Sequence, residues 1–361
     1  MGEAAESVNV ELHVLATSMD DCAVATCHEA SVGNAKDASA LAQFAARVDV
    51  VTFDHELVDL EQIAELEKSG VVVRPSSNSL RYSVDKGFQR QAFKDAVLPV
   101  PRFIVVSSIE DPALNAFLDE LDTEPVVKAT LGGYDGRGVF FPATRDETFS
   151  AVKQLLKDAP VLIEEKLELN GEVAQLIARE LNGDIAVYPL VSSVQSGGMC
   201  VETRYPSHVS EDFTTQAKLL GEQIAQIIDV VGILAIEFFV TEQGLLINEV
   251  ALRPHNSGHW TIEGTETSQF QNHLLAVSAQ ALGPVGAKED YAIMVNIIGG
   301  TTPTTPENAA AIENVHVHDY AKEWRPDRKL GHLTVVGVDQ MRVFMTGWSA
   351  AMAYGTKPNE E

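Results

Sequence analysis

Residues 234–250 read LAIEFFVTEQGLLINEV. Both halves of this stretch are apolar and strand-like, with several β-branched and aromatic side chains. Residues 242–244 separate the halves, and a three-residue loop with glycine in the last, left-handed position is a favoured hairpin connection. We therefore predict an antiparallel hairpin in which Thr241 pairs with Leu245.

This register places two acids opposite each other. Glu237 lies across from Glu249, with their Cβ atoms roughly 5 Å apart on one face of the hairpin. Directly opposed like charges destabilise a sheet unless a cation lies between them, and hard Mg²⁺ prefers oxygen ligands of this kind. Asn248, just before the second acid, offers a further oxygen. The hairpin thus predicts a magnesium site; the alternative is a solvated face that carries two unrelated acids.

The composition favours a globular chain of two or three compact units. The chain has 361 residues and a mass of 39.1 kDa, with 45% hydrophobic and 22% charged residues, which excludes a disordered or fibrous protein. Against 26 Lys and Arg stand 52 Asp and Glu, which gives a net charge of −26. A field of this sign repels phosphate backbones and anionic lipid, so we expect neither nucleic acid nor a membrane surface as a partner.

The sequence shows no pattern of export or of a membrane span. Cys22, Cys27 and Cys200 are an odd number without metal-ligand spacing, and this indicates reduced thiols. The first twenty residues carry no Lys or Arg, and no apolar run approaches the roughly 18 residues needed to cross a bilayer. We therefore expect a cytoplasmic protein.

Residues 9–83 alternate short apolar runs with helix-like stretches. The runs VELHVLAT, VDVVTF and VVVRP predict strands, and DASALAQFAARV and DLEQIAELEKSG predict helices, which is the βαβ rhythm of a parallel sheet. No glycine-rich turn follows the first of these strands. We predict a Rossmann-like domain over residues 1–83 that is incomplete at its start.

Two further domains are predicted, a central one over residues 84–284 and a C-terminal one over residues 285–361. Strands around PRFIVV, PVVKAT and VLIEEK, with a helix over residues 148–158, indicate a lid subdomain of about residues 101–166. The rest of the central domain is richer in strands and holds a helix over residues 214–229. The C-terminal domain contributes the strands IMVNIIGG and LTVVGV.

The segment KATLGGYDGRG, residues 128–138, is typical of a loop that covers phosphate. Four glycines in seven residues let backbone N–H groups approach an anion closely, and they do not suit a helix or strand interior. Lys128, on the preceding strand, is placed to reach a nucleotide phosphate, whereas Tyr134, Asp135 and Arg137 are placed to face a second substrate. An ordinary surface turn is the alternative.

Two polar clusters predict anion pockets. Residues 253–259, RPHNSGH, follow the candidate metal strand and place the permanent cation of Arg253 near His255, whose side chain exchanges protons near neutral pH. Residues 320–332, YAKEWRPDRKLGH, which we call the basic turn, gather five basic residues and suit one phosphate monoester. For the basic turn, a solvated loop that balances net charge is an equally good interpretation.

These segments, in this order, resemble motifs of the ATP-grasp N5-carboxyaminoimidazole ribonucleotide synthetases of purine biosynthesis. The motifs are VVTFDHELV, DKGFQRQAF, GGYDGRG, INEVALRPHNSGHWTIEGTETSQFQNHL and AKEWRPDRKLGH, and the resemblance covers about residues 10–350. It implies an α/β protein with an ATP-grasp fold, an N-terminal Rossmann-like (pre-ATP-grasp) domain and a small C-terminal β-rich domain. The RPHNSGH string distinguishes this family from other ATP-grasp ligases.

The resemblance implies an ATP- and bicarbonate-dependent carboxylate–amine ligase. In this family bicarbonate is phosphorylated to carboxyphosphate, and the exocyclic amine of 5-aminoimidazole ribonucleotide captures the carboxyl group to give N5-carboxyaminoimidazole ribonucleotide. ATP and Mg²⁺ are the implied cofactors, and a homodimer is the implied assembly. The alternatives are another ATP-grasp ligase, such as a formate-dependent ribotide transformylase, and a catalytically inactive nucleotide-binding paralogue.

The resemblance also implies roles for individual residues. The implied catalytic residues are Arg253, His255 and Lys128. The implied metal ligands are Glu237, Glu249 and Asn248, in agreement with the hairpin. The implied ATP contacts are Lys86, Lys128, Gly133, Tyr134, Asp135, Gly136, Arg137, Gly138, Val139, Glu164, Glu165, Lys166, Leu167, Glu172, Gln195, Asn248 and Glu249. The implied ribotide and bicarbonate contacts are Tyr134, Asp135, Arg137, Arg253, His255, Asn256, Lys322, Arg328 and Lys329.

The chain departs from the family pattern in three places. Lys86 stands where the family commonly has Arg, and Gln195 stands where a nucleotide-contacting His is common. The family opens with a strand and a glycine-rich turn that lie near the substrate phosphate, whereas here MGEAAES precedes what resembles the second strand. We therefore expect the first domain to lack this βα unit.

Overall fold

The computed structural model describes residues 1–133, 138–300 and 305–357. In these ranges the chain forms three β-sheets with helices packed against them. The mixed α/β class expected from the sequence is confirmed. No helix in these ranges combines the length and the apolar character that a membrane crossing requires.

The N-terminal region is built around a short parallel strand pair. Strand β1 (His13–Ala16) pairs in parallel with β2 (Glu29–Val32). The predicted strands VDVVTF and VVVRP are wrong as continuous strands, since they form a single parallel bridge between Val51 and Val73. Of the valines in these two runs, only those two are buried. Val48, Phe53 and Val71 are half-buried and pack against the core from outside any strand.

The N-terminal region also contains four helices: α1 (Gly2–Ser7), α2 (Ala38–Ala45), α3 (Leu60–Lys68) and α4 (Ser77–Val84). Asp37 and Asp59 begin α2 and α3, because each side chain accepts two backbone N–H groups of the first turn. Both helices are predicted from the sequence, and both are confirmed. Leu41, Ile63 and Leu66 point inward from them into a shared apolar core.

A small antiparallel sheet follows, within the range predicted for the lid subdomain. Its strands are, in spatial order, β3 (Phe103–Val106), β6 (Val161–Glu164), β4 (Val126–Ala129) and β5 (Val139–Phe140). The helices of this region are α5 (Lys86–Asp95), α6 (Pro112–Asp119) and α7 (Arg145–Leu155). Leu114 and Val152, from α6 and α7, pack against Val127 of the sheet. Helix α7 begins earlier than predicted, because the Thr144 side chain caps it.

A larger sheet carries the central and C-terminal parts of the chain. Its strands are, in spatial order, β12 (Gly244–Ala251), β11 (Gly232–Thr241), β7 (Gly171–Arg179), β9 (Val191–Ser196), β10 (Met199–Tyr205), β13 (Tyr291–Ile298), β15 (Lys329–Gly337) and β14 (His316–Asp319), with β8 (Ile185–Val187) paired to β7. The helices are α8 (Glu211–Ile228), α9 (Thr261–Gly264), α10 (Gln269–Val277), α11 (Pro306–Ala310) and α12 (Gln340–Tyr354). Because β10 pairs with β13, with Glu202 opposite Val295, this sheet continues across the predicted domain boundary at residue 284.

Helix α8 packs closely against the strands that lead to the hairpin. Gly221 permits this close approach, because a Cβ atom there would lie 2.7 Å from Ile177 Cδ1 and 3.5 Å from Ile236 Cδ1. These isoleucines belong to β7 and β11 and are fully buried. The glycine therefore sets the distance between the helix and the sheet.

We expect Gly221→Val to lower the free energy of unfolding by about 2 kcal/mol, because a branched side chain overpacks the contact with Ile177. The exposed variant Lys218→Val, on the same helix, is the control and costs only about 0.5 kcal/mol in helix propensity. Thermal unfolding of the whole chain, followed by circular dichroism, measures both variants. Equal midpoints for the two would contradict the close packing of α8.

Candidate functional site

The predicted hairpin is formed by β11 and β12, and it carries the acid pair. Glu237 lies directly opposite Glu249, which confirms the predicted pairing. The predicted turn is wrong by one residue, because Thr241 pairs with Gly244 and not with Leu245. The turn that connects the strands is therefore a two-residue loop.

A β-bulge on β12 reconciles the shorter turn with the acid pair. Phe238 pairs with Ile247, and the next pair along is Glu237 with Glu249, so Asn248 is the extra residue on its strand. A bulge of this kind shifts the register by one residue and re-aims a side chain, and bulges are common next to active sites. Beyond the bulge, the strands therefore have the register that the predicted three-residue loop would give, with Glu237 opposite Glu249.

Arg90 of α5 holds the bulge in place. Its Nη1 donates to the carbonyl oxygen of Ile247 (2.7 Å) and its Nη2 to that of Asn248 (2.9 Å). Nη2 also lies 2.5 Å from Glu164 Oε1, and both of these charged side chains are only 2% exposed. Burial alone would raise the pKa of Glu164, but Arg90 and Lys128 outweigh it and lower that pKa. The buried ion pair thus connects β6 to the bulged strand.

Two lysines bring positive charge to the acid pair. Lys86, the first residue of α5, contacts the carboxylate of Glu249. Lys128 Nζ, on β4, lies 2.6 Å from Glu164 Oε2 and 3.4 Å from Asn248 Oδ1. The strand that carries Glu249 therefore faces two cations, Lys86 from helix α5 and Lys128 from the smaller sheet.

The acids of the site differ in the direction in which their pKa values are shifted. The Lys86 ammonium beside it keeps the pKa of Glu249 well below its usual range. Burial, and then the charges of Glu249 and Glu172, raise the pKa of Glu237. Burial also raises the pKa of Glu172 to about 7. Glu237 and Glu172 therefore bind a proton more readily than Glu249 does. The oxygen atoms of Glu237, Glu249 and Asn248 are donors that suit a hard divalent cation.

His255 is fixed by its neighbours and faces the acid pair. Its backbone N–H donates to Gln269 Oε1 (2.8 Å), and its carbonyl oxygen accepts from Gln269 Nε2 (2.7 Å). Nδ1 accepts the backbone N–H of Ser257 at 3.3 Å, which favours the tautomer with hydrogen on Nε2. That Nε2 atom lies 3.7 Å from Glu237 Oε1. Burial, and then the charge of Arg253, lower the pKa of His255 to about 3, so the imidazole is neutral at physiological pH.

A cavity of about 1660 Å³ lies between the N-terminal region and the C-terminal strands, and Arg253 and Asn256 line it. Arg253 Nε pairs with Glu56 Oε2 at 2.6 Å, which connects the end of the hairpin to the N-terminal region. Both amide atoms of the Asn256 side chain are buried, without a hydrogen-bond partner in the part of the chain that the structure describes. Because unpaired buried amides are costly, Asn256 suits a position next to a polar ligand.

The structure describes the glycine loop up to Gly133 and again from Gly138. Gly138 has a φ of +77°, and a Cβ there would lie 3.0 Å from the Cβ of Ala129, which favours glycine. Its carbonyl oxygen accepts the Ala129 N–H at 2.8 Å, and the next residue, Val139, pairs with Lys128. The predicted contacts that lie outside the described residues are Tyr134, Asp135, Gly136 and Arg137.

The other predicted ATP contacts follow β6 or lie on β7 and β9. Glu165 Oε1 accepts the backbone N–H of Arg102 at 2.7 Å. Gln195 Nε2 donates to Ser193 Oγ at 2.9 Å. The remaining positions are half-buried or exposed: Lys166, Leu167 and Glu172.

The basic turn reaches the cavity at Lys329, the first residue of β15, which lines it together with Arg253. Lys322 is exposed. Arg328 Nη1 donates to the carbonyl oxygen of Glu323 at 3.0 Å, a contact within the turn. The structure thus brings Lys329 and Arg253 to one cavity, and it places Lys322 and Arg328 among the residues that do not line it.

Three residues that position the site are not predicted from the sequence, namely Arg90, Glu56 and Gln269. A signal exists for Arg90, which lies three residues before Phe93 and so on the same helix face. A charge on an apolar helix face indicates a buried ion pair. Glu56 and Gln269 lie in segments without such a pattern, because their partners are brought to them only by the fold.

Known protein families match the chain over most of its length. Residues 91–270 match the ATP-grasp domain, residues 1–83 the ribonucleotide synthetase preATP-grasp domain, and residues 292–343 the phosphoribosylaminoimidazole carboxylase C-terminal domain. The N5-carboxyaminoimidazole ribonucleotide synthase of Mycobacterium bovis is 40% identical over 348 residues, which cover 93% of this chain and 80% of the relative.

Solved structures show the same likeness. The N5-carboxyaminoimidazole ribonucleotide synthetase of Thermus thermophilus matches with a TM-score of 0.89 and 32% identity, over 100% of this chain and 96% of that one. The N5-carboxyaminoimidazole synthase of Aspergillus clavatus, in complex with ADP and 5-aminoimidazole ribonucleotide, matches with a TM-score of 0.85 and 27% identity, over 98% and 94%. The expected ATP-grasp fold, with a pre-ATP-grasp and a C-terminal domain, is confirmed. The chain belongs to the N5-carboxyaminoimidazole ribonucleotide synthase family of ATP-grasp enzymes.

Proposed function

We propose that the chain catalyses the ATP-dependent carboxylation of 5-aminoimidazole ribonucleotide to N5-carboxyaminoimidazole ribonucleotide, a reaction of purine biosynthesis. The observation that carries this proposal is the opposed pair Glu237 and Glu249, with Lys86 on one acid and Lys128 beside the bulge. Family membership supports the choice of substrates, because the Aspergillus clavatus relative binds ADP and 5-aminoimidazole ribonucleotide. We further propose bicarbonate as the carboxyl donor.

Mg²⁺ is the proposed metal at the hairpin. Glu237, Glu249 and Asn248 would hold it through oxygen atoms. Burial, and then the charges of Glu249 and Glu172, raise the pKa of Glu237, and a bound cation would favour its ionised form. When bound, Mg²⁺ supplies charge neutralisation to the phosphates of ATP.

The protein's own cations complete the proposed phosphate site. Lys128 stands on the strand that leads into the glycine loop, and Lys86 begins α5 on the other side of Glu249. Phosphoryl transfer depends on positioning and charge neutralisation more than on covalent chemistry by side chains. Since both ammonium groups lie in largely buried side chains, their charges act in a medium of low polarity, where they are stronger. We assign Glu164 to orienting Lys128, because Lys128 and Arg90 already occupy its carboxylate.

The proposed reaction has two steps. A bicarbonate oxygen attacks the γ-phosphorus of ATP, ADP leaves, and carboxyphosphate forms. The exocyclic amine then attacks the carboxyl carbon, the C–O bond to phosphate breaks, phosphate leaves with the electron pair, and the nitrogen releases a proton to phosphate or water. Arg253 would bind the anionic carboxyl group, and the Nε2–H of neutral His255 would donate to one of its oxygens.

The ribotide is proposed to occupy the large cavity. Lys329 and Arg253 line that cavity and supply the positive charge that a phosphate monoester needs in an acidic protein. Asn256 offers an amide without another partner in the described ranges. Lys322 and Arg328 stay predicted ribotide contacts, and residues 165–167 stay predicted ATP contacts.

Release of ADP, with and without the ribotide, tests the proposed function. We expect 5-aminoimidazole ribonucleotide and bicarbonate together to raise ADP release from Mg-ATP by at least about tenfold, and ¹³C from bicarbonate to appear in the ribotide product. Formate in place of bicarbonate is the control and should give no stimulation. Stimulation by formate alone would identify a transformylase. Binding of ATP in calorimetry, without ribotide-dependent hydrolysis, would identify an inactive paralogue.

We also propose that the enzyme is a cytoplasmic homodimer, as the family resemblance implies. Light scattering of the purified chain measures the assembly directly. A mass near 39.1 kDa would contradict the dimer.

A further inference from the structure

Away from the hairpin, three potential metal ligands meet at the start of the parallel strand pair. They are Glu11, His13 and His28, and one ligand atom from each lies within 4.8 Å of the other two. Two imidazoles and one carboxylate form a different donor set from the all-oxygen set of the hairpin. Glu11 and His13 also line the large cavity that we propose for the ribotide, but no ribotide, ATP or bicarbonate contact is assigned to any of the three residues.

The fold of the N-terminal region brings the three residues together. His13 is the first residue of β1, Glu11 lies two positions before it, and their ligand atoms lie within 4.8 Å of each other. The backbone N–H of His28 donates to the carbonyl oxygen of Leu12 at 2.7 Å, which places His28 beside β1. The His13 and His28 rings have centroids 5.6 Å apart, and His28 Nε2 lies 3.9 Å from Glu11 Oε2.

A further carboxylate supports His13. Glu29 pairs with His13 in the strand register, and its Oε2 lies 3.5 Å from His13 Nδ1. Arg47 contacts the same carboxylate, and its Nη1 donates to Ser31 Oγ at 2.9 Å. Histidines that bind metals commonly have a carboxylate next to the ring, because it fixes the ring and makes the imidazole a better donor.

We propose that Glu11, His13 and His28 bind a divalent transition-metal ion, with Zn²⁺ as the best fit and water completing the coordination. Imidazole and carboxylate ligands suit Zn²⁺ and its neighbours, whereas Mg²⁺ prefers oxygen ligands only. Tetrahedral bonds of about 2.0–2.1 Å place ligand atoms about 3.3 Å apart. Glu11 and His28 are 75% and 58% exposed, so rotation of these two side chains closes the remaining distance.

The charge around the cluster also favours a cation. Glu11 contributes a negative charge, and the negative charge of Glu29 is balanced by Arg47. The whole chain carries −26. A bound ion would join β1 to the residue that leads into β2, and it would therefore stabilise the N-terminal region.

Titration of the whole chain with Zn²⁺, in excess Mg²⁺ and without nucleotide, tests the proposal. Excess Mg²⁺ occupies oxygen-only sites, so the titration reports the histidine cluster. We expect one equivalent of Zn²⁺ to bind, and the thermal midpoint to rise by a few degrees because the ion binds only the folded chain. Co²⁺ in place of Zn²⁺ should give the visible absorption of a site with nitrogen ligands.

His28→Ala is the decisive variant, because the exposed side chain can be removed without loss of folding. We expect it to weaken Zn²⁺ binding by at least about tenfold, and His13→Ala/His28→Ala to abolish it. The exposed His316→Ala is the matched control and should bind as the unaltered chain does. Circular dichroism confirms the fold of each variant. Unchanged binding in His28→Ala, or no binding to the unaltered chain at about 100 μM Zn²⁺, would overturn the site.

Discussion

Glu249→Gln is expected to lower ribotide-dependent ADP formation by about 100- to 1,000-fold. The change removes a carboxylate that Lys86 keeps ionised, and it replaces a charged oxygen donor of the proposed magnesium site by a neutral one. The concentration of Mg²⁺ needed for half-maximal rate should rise at the same time. A coupled assay for ADP, run over a range of Mg²⁺ concentrations, measures both effects.

Glu242→Gln is the matched control for this experiment. Glu242 lies in the two-residue turn of the same hairpin and is exposed, so its replacement removes one negative charge without touching the acid pair. We expect its rate and its Mg²⁺ dependence to match those of the unaltered enzyme. If Glu249→Gln also turned over at the normal rate, the metal role of the hairpin would be refuted.

Arg90→Met is expected to have the largest effect on stability, about 3–5 kcal/mol, because it leaves Glu164 buried beside a single cation. It also removes the two hydrogen bonds that hold the carbonyl groups of Ile247 and Asn248. We therefore expect both a lower thermal midpoint and a loss of ADP formation. Thermal unfolding and the ADP assay at a temperature below both midpoints separate the two effects.

The double variant Arg90→Met/Glu164→Gln distinguishes a positioning role from a purely structural one. Glutamine removes the uncompensated buried charge and still accepts a hydrogen bond from Lys128, so the thermal midpoint should recover in large part. The double variant still lacks the hydrogen bonds from Arg90 to the bulge. We therefore expect its rate of ADP formation to be at least about tenfold below that of the unaltered enzyme. Full recovery of activity in the double variant would show that Arg90 acts only through Glu164.

Strand periodicity predicts the acid pair, and the reason lies in the physics of sheets. Successive side chains alternate between faces, so a hairpin centred near residue 243 brings Glu237 and Glu249 to one face or the other together. The turn itself is predicted wrongly, because the sequence does not show the bulge at Asn248. Arg90 holds that bulge from 158 positions earlier in the chain, and no local pattern predicts such a partner.

Short apolar runs are a second feature from which the secondary structure is predicted wrongly. The valine runs near Val51 and Val73 have the composition of strands, yet only one residue of each pairs. Pairing of β10 with β13 joins residues 202 and 295, a contact that depends on the whole fold. The helices that have capping residues, such as α2 and α3, are the elements predicted best, because their signals are local.

The continuous ladder from β10 to β13 makes the C-terminal region inseparable from the rest of the enzyme. A chain cut between α10 and β13 would expose the edge of β10 that Glu202, Thr203, Arg204 and Tyr205 pair with β13, and unpaired donors and acceptors at a strand edge are a template for aggregation. Fragments expressed one by one would therefore precipitate or swap strands between copies. Complementation of the two pieces in one cell, and not their separate purification, is the workable route to a split form of this ligase.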